Sequence, residues 1–99
     1  LMARHKLAET ETEGFISYAR SVAGVEVAIA FKEVGADEIR VGLRSNRKVD
    51  VAQVALALGG GGHVRAAGLT FRGSMGQARS AVLTGVRKAL REAGLTWTD

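Results

Sequence analysis

The chain has 99 residues, 46% hydrophobic content and a formal net charge of +4 from 14 Lys+Arg against 10 Asp+Glu, which suits one domain with a single modest core. No apolar run is long enough to suggest a helical membrane span, and the absence of cysteine excludes disulfides and thiolate metal sites. A soluble, cytoplasmic globular chain without a membrane partner is the expectation. Ten of the fourteen cations are arginine, whose planar fork suits bidentate phosphate contacts, so the composition leans towards anionic partners. Because both signs of charge are spread along the chain without a basic block, most of these arginines read as solvated surface.

Taken in order, Leu1 to His5 reads as the last turns of a helix whose beginning is missing, so the chain is expected to be a fragment. Thr10 and Glu13 have capping-box spacing. A helix is expected to follow, with Phe15, Ile16, Ala19 and Val22 on its apolar face and Gly24 as its stop. Val25, Val27, Ile29 and Phe31 then alternate with small or polar residues, the period of a strand. Gly35-Ala36-Asp37 punctuates, after which Ile39, Val41 and Leu43 alternate with Arg40, Gly42 and Arg44. These two strands should pair as an antiparallel hairpin. On its second face Ala28, Ala30 and Gly42 leave room for something to pack close, and Arg44 stands at the end of that row.

Asp50 with Gln53 predicts a second helix start, and Val51, Val54, Ala55 and Leu58 recur at helical spacing up to Gly59, its natural stop. After the glycines, Val64 to Ala67 can form one compact turn, and Leu69 and Phe71 suggest a short strand. Ser74 and Gln77 cap a long helix with the stripe Ala78, Val82, Val86, Ala89, Leu90 and Ala93, ended by Gly94. Trp97 is expected to pack back on the domain. The predicted fold class is α/β, a small mixed sheet built on the antiparallel hairpin with helices packed against it.

The densest chemical signal is Gly59-Gly60-Gly61-Gly62-His63, followed by Val64-Arg65-Ala66-Ala67-Gly68. Consecutive glycines carry a high conformational-entropy cost. With no Cβ in the way, successive backbone N–H groups can point into one concavity that suits an anion, most often phosphate. His63, placed to open a helical turn, could present its imidazole to the same anion. A flexible linker and a structural histidine are the plainer readings of these residues taken alone. Tyr18, Phe15, Phe31, Phe71 and Trp97 do not interleave with basic residues and read as core or surface cover rather than base-stacking platforms.

The run from Glu13-Gly14 through Gly24 to Ala28, with Arg44-Ser45, Val49-Asp50-Val51 and the Gly60 to Gly68 segment, resembles the C-terminal GGGH domain of DHH-family phosphoesterases. The branch it is most similar to is the nano-RNase and phosphoadenosine-phosphate phosphatase group. The resemblance covers the chain from about Thr12 to Leu90. It implies an N-terminal DHH domain that holds two metal ions, usually manganese, and hydrolyses a phosphoester while the GGGH domain holds the substrate. Carried over by position, Gly60, Gly61, Gly62 and His63 would contact phosphate near the scissile bond. Arg44 and Ser45 would engage another part of the nucleotide, and residues 1–99 would form one substrate-binding domain. Short RNA or a nucleotide and the missing DHH domain are the implied partners, and a homodimer is left open.

Two-metal hydrolysis needs several carboxylates and histidines around the ions, whereas the aspartates here are Asp37, Asp50 and Asp99 and the histidines His5 and His63. Neither a catalytic residue nor a metal ligand is therefore expected in this chain. Two other readings remain open: the C-terminal domain of a single-strand-specific DNA exonuclease, and a non-catalytic nucleic-acid-binding or editing-type module like that at the end of alanyl-tRNA synthetases.

Overall fold

A computed structural model describes residues 8–12, 14–22, 25–46 and 49–95. The elements run β1 (Ala8–Thr12), β2 (Phe15–Val22), β3 (Val25–Gly35), β4 (Glu38–Ser45), α1 (Val51–Ala57), β5 (Gly61–His63), β6 (Ala66–Arg72) and α2 (Met75–Glu92). The strands form one sheet in the order β1-β2-β3-β4-β6-β5. Its α/β character, with helices packed on a sheet centred on the β3–β4 hairpin, is the one predicted. Every strand pairing is antiparallel, so the sheet is not mixed. The chain returns through α1 and the short β5 before β6 enters beside β4, and that route reverses its direction.

The predicted helix over residues 10–24 is instead β1 and β2. Phe15, Ile16, Ala19 and Val22 fit one helical face, but among the described side chains of this segment Ile16 and Tyr18 are the buried ones, and that is period two. Gly14 turns the chain at φ 76°, and its carbonyl accepts the N–H of Glu33 at 2.8 Å. The whole segment is thereby drawn into pairing with β3, where Ile16 lies opposite Phe31 and Tyr18 opposite Ile29. Tertiary pairing decides over a pattern that served both structures. Gly24, the expected stop, lies outside the described residues, as do Leu1 to His5 and Trp97.

One face of the sheet carries the core. Val25, Val27, Ile29 and Phe31 of β3, Ile39, Val41 and Leu43 of β4, and Leu69 of β6 are buried against α1 and α2. Helix α2 contributes Ala78, Val82, Val86, Ala89 and Leu90, the predicted stripe apart from the partly buried Ala93. The Tyr18 ring meets Phe31 edge-on at 5.7 Å between centroids, and its hydroxyl accepts from Arg79 of α2 at 3.1 Å. Asp50 and Ser74 cap the two helices as predicted, the latter in a reciprocal capping box with Gln77. The opposite face has no helix packed on it among the described residues. It presents Ala19, Ala28, Lys32, Arg40, Gly42, Arg44, Thr70 and Arg72, all exposed.

Candidate functional site

The register of β4, β6 and β5 fixes what stands on the open face. Residues paired across an antiparallel sheet share a face. Arg44 pairs with Ala66, and Ala66 with His63. Ala28 pairs with Arg44 and Ala19 with Ala28, so one row runs Ala19, Ala28, Arg44, Ala66, His63. Arg44 and His63 are both exposed and leave the sheet two strands apart, roughly 10 Å between backbones, with only the methyl of Ala66 between them. The next row towards β4's start is Ser17, Ala30, Gly42, Gly68, Gly61, nearly free of side chains. The row beyond it brings Phe15, Lys32, Arg40 and Thr70 together.

His63 does not open a helical turn as predicted; it ends the edge strand β5. What holds it is the turn that follows. The Val64 carbonyl accepts the N–H of Val51 at 2.9 Å, and the Arg65 carbonyl accepts the N–H of Ser45 at 2.9 Å. The first occupies one of the free N–H groups at the start of α1, and the second binds the turn to the end of β4. The predicted Val64–Ala67 turn is thus shorter, confined to Val64 and Arg65, with Ala66 and Ala67 already in β6.

The four glycines have different reasons to be glycine. Gly59 ends α1 at φ 89°. The Gly59 N–H donates to Leu56 and the Gly60 N–H to Ala55, the two bonds of a Schellman cap. A Cβ on Gly60 would overlap the Gly68 carbonyl oxygen and come within 2.6 Å of Leu69 Cβ. Gly62 has φ 144°, and a Cβ there would sit 2.7 Å from the Ala66 carbonyl oxygen. Gly61 has neither constraint: a Cβ would meet nothing within 4 Å. The cap thus uses the amides of Gly59 and Gly60, so neither is a free donor in the loop.

Ser45 is buried at 7% exposure and paired with the buried Val27, so it faces the core while Arg44 faces solvent. Of the predicted site residues, Arg44, Gly61 and His63 therefore share the open face. Gly60 and Gly62 shape the backbone, and Ser45 fixes the strand end from behind. Two residues not singled out from sequence, Lys32 and Arg40, also stand on that face. The alternation of β4 placed Arg40 there, but only the pairing with β6 sets it beside the glycines. A hollow of about 300 Å³ is lined by Ser17, Ala19, Ala28, Ala30, Gly42 and Arg44, and a second is lined by Arg40, Gly59, Gly60, Gly68 and Thr70.

Among the described residues no three His, Cys, Asp or Glu side chains cluster as metal ligands, and they do not fit a two-metal centre of the kind the resemblance implies for the DHH domain. No helix among them is long and apolar enough to cross a membrane.

A family model described as DHHA1 domain matches residues 2–92. The chain is 40% identical over 88 residues to a protein of Thermus thermophilus named bifunctional oligoribonuclease and PAP phosphatase NrnA. That alignment takes in 88% of this chain and 27% of the relative, so the chain spans little more than a quarter of the curated protein it matches.

Proposed function

Because the chain belongs to the DHHA1 domain family, we propose that it is the substrate-binding domain of a DHH-type phosphoesterase acting on short oligoribonucleotides or nucleoside 3′,5′-bisphosphates. The observation that carries this reading is the row in which Arg44 and His63 flank Ala66 on the open face, beside a glycine whose missing side chain the fold does not require. The two activities in the name of the Thermus relative are consistent with it. A cytoplasmic setting belongs to the same reading.

In this reading Arg44 donates charge-assisted hydrogen bonds to a phosphate, and His63 donates to the same group from the other side of Ala66. Gly61 admits the phosphate to the edge of β5, where backbone N–H groups add donors. Gly60 and Gly62 let the loop close on β6, and Ser45 holds the end of β4 so that Arg44 stays in the row. Hydrolysis is assigned to a DHH domain elsewhere in the same protein. The two metal ions that the resemblance implies for that domain, usually manganese, would supply the activated water there, and no residue of this chain is given a catalytic step. Groups already in place around a phosphate also stabilise charge that develops on it as the bond breaks.

Titration of the chain with adenosine 3′,5′-bisphosphate, followed by amide NMR shifts, tests the reading. Movement at Arg44 and at Gly60 to His63, absent with unphosphorylated adenosine, is expected. No movement at those amides at saturating nucleotide overturns it. Equal shifts with long single-stranded DNA and steep salt dependence would turn it towards an exonuclease-type or general nucleic-acid module.

A further inference from the structure

One cross-strand glycine pair contributes a member to each of the two hollows. Gly42 and Arg44 line one hollow, Gly68 and Arg40 line the other, and Gly42 and Gly68 are partners in the sheet. We propose that Arg40, with Lys32 beside it, is a second phosphate-binding residue, so that the face binds a nucleoside with a phosphate at each end. The inference rests on the phosphate-binding reading of Arg44 and His63 and extends it.

Gly42 is the first argument. A glycine in the middle of a strand costs roughly 0.5–1 kcal/mol relative to alanine, and it often marks where a ligand or another backbone comes close. No neighbour demands it: a Cβ at Gly42 would meet nothing within 4 Å. Gly68 is tighter, since a Cβ there would stand 3.1 Å from the Val41 carbonyl oxygen, and has a packing reason of its own. Together with Ala30 and Gly61 they make a floor on which a flat ring or a sugar can lie against backbone.

Charge is the second. On β4 the order is Arg40, Gly42, Arg44, all exposed, so the two guanidinium groups leave the strand roughly 13 Å apart on either side of the bare residue. Long arginine side chains leaning inward shorten that gap towards the span of one nucleoside. Lys32 is paired with Arg40 across the hairpin and adds charge on that side, while His63 adds a hydrogen-bonding imidazole on the other. The acidic groups on this face, Glu26 and Glu38, stand at its two ends: Glu26 beside Asn46, and Glu38 opposite Arg72. Each carboxylate lies one same-face position beyond an arginine, so the floor between Arg40 and Arg44 is free of acidic groups among the described residues.

A nucleoside flanked by two phosphates is the unit that a nucleoside 3′,5′-bisphosphate shares with a 5′-phosphorylated dinucleotide. One face with two anchors recognises both, whereas a single anchor would take any mononucleotide equally well.

Affinities of the chain for 5′-AMP, adenosine 3′,5′-bisphosphate and 5′-phosphorylated diadenylate, measured by fluorescence or NMR titration, separate the possibilities. Arg40→Ala is expected to weaken binding of the two-phosphate ligands about ten-fold or more, as loss of a charged hydrogen bond does, and to change 5′-AMP binding less than two-fold. For the dinucleotide the slope of log affinity against log salt should fall by about 0.7, one contact's worth for a single strand. Arg44→Ala should weaken all three. Gly42→Val, for which the fold has space, should keep the melting temperature and lose the dinucleotide. Equal effects of Arg40→Ala on the one- and two-phosphate ligands, or none on either, overturn the second anchor while Arg44→Ala still supports the first. If no ligand moves the amides of Gly61 to His63, both proposals fall. Arg40→Gln, which keeps most of the side chain's packing, guards against a folding defect as the cause.

Discussion

The backbone N–H of Ser45 donates to the carbonyl of Arg65 at 2.9 Å, so the residue after Arg44 and the second residue after His63 are held together by one hydrogen bond. Strand β4 and the turn after β5 are therefore tied together, and the spacing of the Arg44 and His63 side chains is set by backbone. Ser45 reaches this position by being buried and facing Val27.

Arg44→Ala is expected to weaken nucleotide binding by about 1.5–3 kcal/mol, the range for hydrogen bonds to charged groups, and His63→Ala by less. Neither should shift the melting temperature measurably, because both side chains are exposed. If the two grip one phosphate, their effects are not additive. A double-mutant cycle measured by titration should give a coupling of about 0.5 kcal/mol or more. Strict additivity would mean that they bind separate groups.

The glycine run gives a contrast that separates fold from function. Gly60→Ala places a methyl on the Gly68 carbonyl oxygen, and Gly62→Ala puts one 2.7 Å from the Ala66 carbonyl oxygen at φ 144°. Both should lower stability by at least the roughly 1–3 kcal/mol of overpacking, a fall of several degrees or more in melting temperature for a domain of this size. Gly61→Ala meets open space and should leave stability unchanged or raise it by up to about 1 kcal/mol. Its loss should be in nucleotide affinity, read by titration of a protein whose thermal melt is intact.

What the sequence conveyed follows from which patterns are local. The β3–β4 alternation, the Asp50 and Ser74 caps and the α2 stripe each lie within a short window, and each stands as read. Phe15 to Val22 failed because its apolar residues fit two periods and only pairing with β3 chose between them. The glycine-rich segment was conspicuous, yet its four residues looked alike. Their separate roles depend on Gly68, Leu69, Ala66 and Ala67, which reach the loop only through the β5–β6 pairing. Arg44 and His63 were both visible as candidates. That Ala66 lies between them, and that Arg40 and Lys32 form a parallel row, is a matter of register across strands far apart in the chain.

Tyr18 and Arg79 join the sheet to α2 through one hydrogen bond of 3.1 Å between residues distant in sequence. Tyr18→Phe keeps the ring and its edge-on contact with Phe31 and removes the acceptor. A loss of about 0.5–1.5 kcal/mol is expected, with nucleotide affinity unchanged because Tyr18 is buried on the core side. Thermal denaturation followed by circular dichroism reads the first, and titration the second. A change in affinity as large as the change in stability would mean that the two faces of the sheet are coupled.

Gly85 lies where α2 meets α1, and a Cβ there would stand 2.9 Å from Val54 Cγ1. Helix propensity favours alanine over glycine by about 1 kcal/mol, while forcing a methyl into this contact costs roughly 1–3 kcal/mol, so Gly85→Ala should be neutral to destabilising. The clash has one partner, so Val54→Ala should relieve it: the double variant is expected to lose less than the sum of the two single changes. Helix α1 ends in the cap that sets Gly59 and Gly60, so a displaced α1 carries the glycine loop with it. Gly85→Val, which cannot be accommodated without moving Val54, should therefore shift the amides of Gly60 to His63 in the NMR spectrum of the ligand-free chain. If those amides stay fixed while the melting temperature falls, the loop is held by β6 and the Val64–Arg65 turn alone, and α1 contributes stability without positioning the site.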